Sequence, residues 1–309
     1  QGRAVDRGCR NAGPHTVSGA STRRVLSLST LFPNSAHPRF GIFVARSLEA
    51  LQRHTHWDVT VINPIGLPPV TFGHYRQLAA AAQDGQDFGI DVHRPVFRLI
   101  PKFGGRLNPK LIAKAVLPLA RRLHAETPFD LVDAQFFYPD GPAAMRVADE
   151  LGLPFSVKAR GADIHYWGAR GYGRDALLDT ADNAAGLLAV CEELADDMAT
   201  LGMAREKIAV HYTGLDRDLF RPLGHVGLRT RLAETFSIPI ANDDLLLATV
   251  GALIERKGQA YAIKALAHLP RGRLLLIGRG EDDASLRALA RDVGVADRVH
   301  FLGSLDPAM

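Results

Sequence analysis

Apolar positions along this chain gather into short unbroken runs, with stretches of helical spacing between them. The runs are Arg23-Arg24-Val25-Leu26-Ser27-Leu28, Trp57-Asp58-Val59-Thr60-Val61-Ile62, Asp130-Leu131-Val132-Asp133-Ala134, Phe155-Ser156-Val157-Lys158-Ala159, the shorter Gly186 to Val190, and Lys207 to Tyr212. Each is short enough to be a strand. Helices are expected through Arg46 to Leu51, over His74 to Gln83, from Pro142 to Leu151 ahead of the Gly152-Leu153-Pro154 break, and through Asp179 to Leu201 after a short strand. Pro64 ends the second strand, and Pro68-Pro69 opens a loop-rich region to which no function attaches.

The most informative stretch lies further on. Leu245–Val250 and Leu274–Ile277 are continuous apolar runs, as expected of parallel strands buried on both faces. Between them Ala260, Ile263, Leu266 and Ala267 recur on one helical face. The loop Gly251-Ala252-Leu253-Ile254-Glu255-Arg256-Lys257-Gly258 falls where strand gives way to helix. Free N–H groups and a partial positive charge stand there, and glycine lets backbone approach an anion. Lys257 adds a full charge suited to a diphosphate, with Arg256 beside it; Gly278 and Gly280 end the next strand on the same edge. An ordinary strand–helix–strand unit with a solvated Arg-Lys turn is the plainer alternative.

Two earlier strand ends place polar residues on one edge of a sheet: Gln135-Phe136-Phe137-Tyr138-Pro139-Asp140-Gly141 and Arg160-Gly161-Ala162-Asp163-Ile164. Gly41 falls in the first strand-to-helix connection, where a tight turn explains it as well as a ligand does. Asp163 reads as a ligand contact or as a helix cap, and His165, beside Tyr166 and Trp167, as a ligand contact or a structural residue. Cys191 has no partner in sequence for nucleophilic chemistry and reads as a small packed residue.

Composition narrows the field. A chain of 309 residues with 47% hydrophobic positions accommodates two packed α/β domains. Net charge of +4 is too modest to indicate nucleic acid as a partner. Cys9 and Cys191 are the only cysteines, which gives neither a disulfide framework nor a metal cluster and makes a reducing cytosol the expected compartment. No apolar run reaches the ~18 residues of a membrane span. Gln1 to Thr22 is polar, glycine-rich and aperiodic, and reads as a disordered lead or the start of a fragment. From Arg98 to Arg122 the cations Arg98, Lys102, Arg106, Lys110, Lys114, Arg121 and Arg122 occur without an acid, while Leu111, Ile112, Ala115, Leu119 and Leu123 form an apolar stripe after Pro109. A core helix with a solvated basic face accounts for this; peripheral contact with anionic lipid is the functional alternative. The absence of Gly-x-Gly-x-x-Gly after the first strand argues against a dehydrogenase, and no carboxylate pair is identifiable for glycoside hydrolysis.

Val250-Gly251-Ala252-Leu253 with Arg256-Lys257-Gly258, Leu276-Ile277-Gly278-Arg279-Gly280 and Arg298 to Gly303 resemble the donor-binding half of family-4 retaining glycosyltransferases, group 1. The Tyr138-Pro139-Asp140-Gly141 turn followed by Arg160-Gly161-Ala162-Asp163-Ile164 is similar to that family's acceptor domain, and Thr213-Gly214-Leu215-Asp216 with Phe220-Arg221-Pro222 to its interdomain junction. The resemblance covers about Arg23 to Gly303. It implies an α/β fold of GT-B type: two Rossmann-like doubly wound domains facing a cleft, here residues 23–215 on the acceptor side and 216–309 as an incomplete donor-nucleotide domain. It further implies sugar transfer, with retention and without a required metal or cofactor, from a nucleotide-diphosphate sugar to the hydroxyl of a sugar or lipid-linked acceptor. Polysaccharide, glycolipid or cell-envelope glycan synthesis is the expected setting, in the cytoplasm or against the inner membrane face.

By position, Lys257, Arg256, Gly41, Gly251, Gly278 and Gly280 are then expected at the donor diphosphate, Asp163 and Arg160 in catalysis, and Gln135, Tyr138, Asp140, Gly161, Gly214 and Asp216 around the acceptor and cleft. The chain also departs from the family. Ala252 stands where an arginine is usual, and Gln135 and Arg160 where many relatives have histidines. The chain stops before the βα units in which relatives carry a spaced pair of glutamates, so an apolar sheet edge should be left uncovered. A non-catalytic protein that binds nucleotide or acceptor, and a GT-B nucleotide-sugar epimerase, are the competing readings.

Overall fold

The computed structural model describes residues 22–100, 104–222 and 227–305. Nearly all of the polar lead, and Lys102, lie outside them. The chain divides into two compact units, Gln1–Gly214 and Leu215–Met309.

Unit 1 opens with β1 (Arg23–Leu28), α1 (Ile42–His54), β2 (Trp57–Ile62), β3 (Ile65–Leu67), α2 (His74–Ala81), β4 (Gly85–Asp87), β5 (Ile90–His93) and β6 (Val96–Arg98). It continues with α3 (Asn108–Glu126), β7 (Leu131–Ala134), α4 (Asp140–Leu151), β8 (Phe155–Ala159), α5 (Ala162–Gly168), α6 (Gly171–Asn183), β9 (Gly186–Ala189), α7 (Glu192–Leu201) and β10 (Ile208–Val210). Eight strands form one sheet in the order β10-β9-β8-β7-β1-β2-β5-β4, and β3 pairs with β6 separately. All pairs in the large sheet are parallel except β4 with β5. The chain winds outward from β1 through β2, then returns to lay β7 on the other side of β1. That reversal opens a crevice at the carboxyl ends of β1 and β7.

Alternate side chains of the strands supply two cores. Val25, Val59 and Val61 pack with Val44, Ala45 and Leu48 of α1, whereas Leu26, Leu28, Ile62, Val132 and Val157 face α3, α4 and α6. Burial on both faces is what makes these strands continuous apolar runs.

The structure corrects several local expectations. The helical stretch expected through Asp179 to Leu201 is two helices, α6 beginning already at Gly171 and α7, on either side of the expected strand, which is β9. Four short strands, β3 to β6, occupy what reads as loop, because strands this brief carry no period. The deepest face of α3 is Ile112, Ala113, Val116 and Ala120, with Leu111, Ala115, Leu119 and Leu123 partly buried beside it. Small Ala113 and Ala120 let the helix approach its neighbours, which an apolar stripe alone does not reveal. Two of its cations have acid partners: Arg121 pairs with Glu150 of α4 and Arg122 with Glu126 one turn along α3.

Unit 2 comprises α8 (Leu228–Phe236), β11 (Leu245–Val250), α9 (Gln259–Leu266), β12 (Gly272–Ile277), α10 (Asp283–Asp292) and β13 (Val299–Gly303), with a parallel sheet in the order β11-β12-β13. Leu253, Ile263, Leu266, Leu274, Leu276, Leu286 and Val299 form its core. Against expectation β11 is not buried on both faces: it is an edge strand, with Leu245 49% and Val250 77% exposed. An apolar edge is thus uncovered among the described residues.

Two buried carboxylates fasten the connections above the large sheet. Asp140, 0% exposed, accepts Thr30 N (2.9 Å) and Thr30 Oγ1 (2.8 Å), tying the start of α4 to the loop after β1. Asp163, equally buried, accepts Phe137 N (2.7 Å) and Arg160 N (2.9 Å), joining the loops after β7 and β8. Burial drives the Asp140 carboxyl up to about 7, against the hydrogen bonds from Thr30, and pushes Asp163 up as well. The folded chain therefore holds the Asp140 proton more tightly than the unfolded chain does. Its stabilisation is full below the ordinary carboxylate value of 3.8 and is lost as pH rises through about 7. Asp140→Asn should remove about 2–3 kcal/mol of the stability difference between pH 5 and pH 8, read from urea unfolding. An unchanged pH slope in the variant would refute the assignment.

Candidate active site

At the crevice of unit 1, Arg160 leaves the end of β8 and reaches back over β7. Its Nε donates to Gln135 O (3.1 Å) and its Nη2 to Gln135 Oε1 (2.7 Å), while the guanidinium lies 4.9 Å from the Phe43 ring at the start of α1. Arg160 Nη1 is buried without a hydrogen-bond partner. Gln135 Nε2 in turn donates to Asp133 Oδ2, and Asp133 also accepts Ser156 Oγ (2.8 Å) and Ser27 Oγ (3.2 Å). Three neighbouring strands thus set the Gln135 amide, and the amide sets the guanidinium. Burial pushes the Asp133 carboxyl up, against hydrogen bonds that pull it down.

Lys158, 1% exposed, sits behind this relay with Nζ 2.8 Å from His211 Nδ1 at the end of β10. Burial first, then the charge of Arg160, bring the ammonium down to about 8. Burial, then Lys158 and Arg160, lower His211. A neutral imidazole accepting at Nδ1 carries its proton on Nε2. Asp133, Ser156, Lys158 and His211 were not singled out from sequence. A charged residue inside an apolar run, as in Leu131-Val132-Asp133-Ala134 and Phe155-Ser156-Val157-Lys158-Ala159, is the signal that marks two of them.

Other expected residues fall into different positions. Gly41 has φ +69°, and a Cβ there would lie 2.4 Å from Leu31 C, so glycine is demanded by the chain's own backbone. Gly161 (φ +101°) precedes α5 in open space. Asp163 and Asp140 lie beneath the crevice as the backbone clips described above. Tyr138 points away from Arg160: its hydroxyl donates to Gly105 O (2.8 Å) and its ring stacks 4.5 Å from Trp167. Gly214 closes unit 1, and Asp216 begins a turn in unit 2, with Oδ1 accepting Asp218 N (3.1 Å) and Leu219 N (3.2 Å). His165 pairs with Asp197 (2.9 Å) on the surface, and Cys191 packs partly buried against the core.

In unit 2 the two glycine loops interlock. A Cβ on Gly278 would lie 1.8 Å from Gly251 O, and one on Gly280 2.1 Å from Leu253 O. Gly251 N donates to Ile277 O (2.9 Å) and Leu253 N to Arg279 O (3.1 Å). Gln259, 3% exposed at the start of α9, donates through Nε2 to Ala252 O (2.9 Å) and closes the loop from below. Glu255–Lys257 forms a single 3-10 turn, and Gly258 (φ +71°) hands the chain to α9, whose first turn has no acid. Lys257 folds back towards Gly251, its Cε 3.9 Å from where a Cβ on that glycine would stand. Lys257 and Arg256 are both exposed and neither is in an ion pair among the described residues.

Comparison with known proteins identifies the family. Residues 40–219 match the family described as Glycosyltransferase Family 4, and residues 231–308 match Glycosyl transferases group 1. TuaC of Bacillus subtilis, assigned to teichuronic acid biosynthesis as a glycosyltransferase, is 25% identical over 273 residues, which is 85% of this chain and 67% of that protein. The lipopolysaccharide core biosynthesis glycosyltransferase LpsE of Rhizobium meliloti is 32% identical over 114 residues, 37% of this chain and 30% of its own length. Among solved structures, Anabaena HepE in complex with UDP and glucose superposes with a TM-score of 0.63 at 17% identity, over 92% of this chain and 70% of that one. The chain thus spans about two thirds of TuaC and less of LpsE. The fold is α/β of GT-B type, with a small three-stranded second sheet, and the chain belongs to glycosyltransferase family 4, a family of retaining enzymes that use nucleotide sugars.

Proposed function

We propose that the protein transfers a sugar from a nucleotide-diphosphate donor to an acceptor hydroxyl, with retention, in the synthesis of a cell-envelope polysaccharide or glycolipid. Unit 2 takes the donor and unit 1 the acceptor. The observation that carries the reading is the interlocked loop of unit 2, which presents unpaired Lys257 and Arg256 beside a helix N-terminus free of acids. As the bond from the sugar to the diphosphate breaks, negative charge builds on the leaving phosphate. Preorganised cations and backbone N–H groups offset that charge without having to reorganise. Arg160 is the unit 1 residue best placed to act, since its Nη1 has no partner and Gln135 fixes its plane. Asp163 is then a positioning residue that holds Arg160 through its backbone N–H. The roles of TuaC and LpsE support an envelope glycan as product, and the UDP bound to HepE makes uracil the first base to test.

Among the described residues no helix is long and apolar enough to cross a membrane. A lipid-linked acceptor would be met at a surface, and the basic residues of α3 without acid partners suit that encounter.

Calorimetric titration of UDP into the chain tests the donor site. Lys257→Ala should weaken binding roughly tenfold or more, the loss expected of one charge-assisted contact. Ala252→Arg, which supplies the cation usual in the family, should tighten it. Equal affinity in all three proteins would remove Lys257 from the site.

Gln259→Leu should leave Ala252 O with Ile254 N (3.0 Å) as its remaining donor and loosen the loop. The expected outcome is weaker UDP binding with faster amide exchange confined to residues 251–258. Unchanged exchange there would show that the interlocked glycines alone hold the loop.

A further inference from the structure

A pocket separate from the Arg160 crevice lies between the start of α3, α4 and α6. Partly buried Tyr172 forms an apolar wall backed by Tyr138, which is 1% exposed, and Arg106, Lys110 and Arg146 stand around them. The aromatic part is rigid. Trp167 lies 4.5 Å from the Tyr138 ring and 6.2 Å from Tyr172, and a Cβ on Gly105 would come within 3.0 Å of the Tyr172 hydroxyl. Burial pushes the Tyr138 hydroxyl up to about 12, so it remains a donor to Gly105 O and anchors the segment carrying Arg106.

Arg106, Lys110 and Arg146 are exposed, and none is ion-paired among the described residues, whereas Arg121 and Arg122 further along α3 both have acid partners. Asp179 is the one carboxylate in the lining. Arg106 and Lys110 flank the first turn of α3, which contains no acid and has no side-chain cap. Positive side chains there add to a positive helix end, so they repel one another until an anion arrives. The accessible part of Tyr172 beside such cations fits the apolar face of a pyranose whose substituent is anionic.

We propose that this pocket binds a saccharide unit bearing a carboxylate or a phosphate, and so selects an anionic acceptor. The proposal rests on reading unit 1 as the acceptor side, but binding can be measured without turnover. Only two tryptophans are present, Trp57 and Trp167, so a Trp57→Phe background leaves Trp167 reporting on the pocket. Three probes are titrated at low salt: a glucuronic acid-containing disaccharide, a hexose 6-phosphate and a neutral disaccharide of the same size. The two charged probes should give a saturable change in Trp167 emission, and the neutral one should bind roughly tenfold more weakly or not at all. Which charged probe binds more tightly distinguishes carboxylate from phosphate. Arg106→Gln and Arg146→Gln should each weaken the charged probes roughly tenfold and leave thermal melting unchanged.

Equal binding of neutral and charged probes, or variants that bind as the parent does, would overturn the proposal. So would binding seen only with phosphatidylglycerol vesicles and lost in the same variants, which would make the patch a lipid contact. UDP titration of the same samples separates the two readings. UDP binding without charged-saccharide binding refutes the pocket and leaves the donor site standing; charged-saccharide binding without UDP binding refutes the donor site and leaves the pocket.

Discussion

A carboxylate removed from water in the middle of a parallel sheet must have its lone pairs answered, and Asp133 imposes that demand on everything at the crevice of unit 1. Ser27 from β1 and Ser156 from β8 answer it from either side, and Gln135 from the turn above. Because the amide nitrogen of Gln135 is committed to Asp133, its oxygen faces outward and can only accept. Arg160 meets that oxygen and the Gln135 carbonyl together, which fixes the guanidinium in one plane. Leaving any buried member of such a chain unpaired costs about 1–3 kcal/mol, so the members hold one another in place. Two residues that depart from the usual histidines of the family, Gln135 and Arg160, therefore make one unit: an amide that needs a cation and a cation that needs an amide.

Unit 2 achieves rigidity by a different route. Its loop is held by backbone lying directly on backbone, with Gly278 and Gly280 filling places where even a methyl group would collide with the carbonyls of Gly251 and Leu253. These glycines act on the loop rather than on a ligand. They leave the cations of Arg256 and Lys257 free of structural duty. A side chain that carries no part of the fold can give its whole charge to a bound group, which is the economy expected of a phosphate site.

How much of this was legible in the sequence follows from what each feature depends on. The long strands were readable because burial on both faces forces continuous apolar runs, and Tyr138 and Arg160 were picked out because strand ends of open sheets collect polar residues. The strands β3 to β6 were not readable, since three or four residues held by tertiary pairing leave no period. Gly41, Gly278 and Gly280 were visible as glycines, but their reason lies in backbone atoms distant in sequence or in a neighbouring loop, which spacing cannot express. Asp163 remained ambiguous between sugar ligand and cap until the donors to its oxygens, Phe137 N and Arg160 N, were in view. Asp133 and Lys158 were passed over because a charge inside a strand reads as an exposed position, whereas here both are buried.

Lys158 shows why the field at the crevice stays positive. A buried ammonium beside an arginine loses stability, and the two remedies are to shed the proton or to find acceptors. His211 supplies an acceptor, and it can do so only while neutral, a state that its burial and the two neighbouring cations favour. Asp133 draws the other way, but burial pushes its own carboxyl up. Arg160 Nη1 is the donor this relay leaves without a hydrogen-bond partner among the described residues. In the transfer reaction proposed for the family fold, charge accumulates on the departing diphosphate. Cations already fixed in the fold offset such charge without having to reorganise.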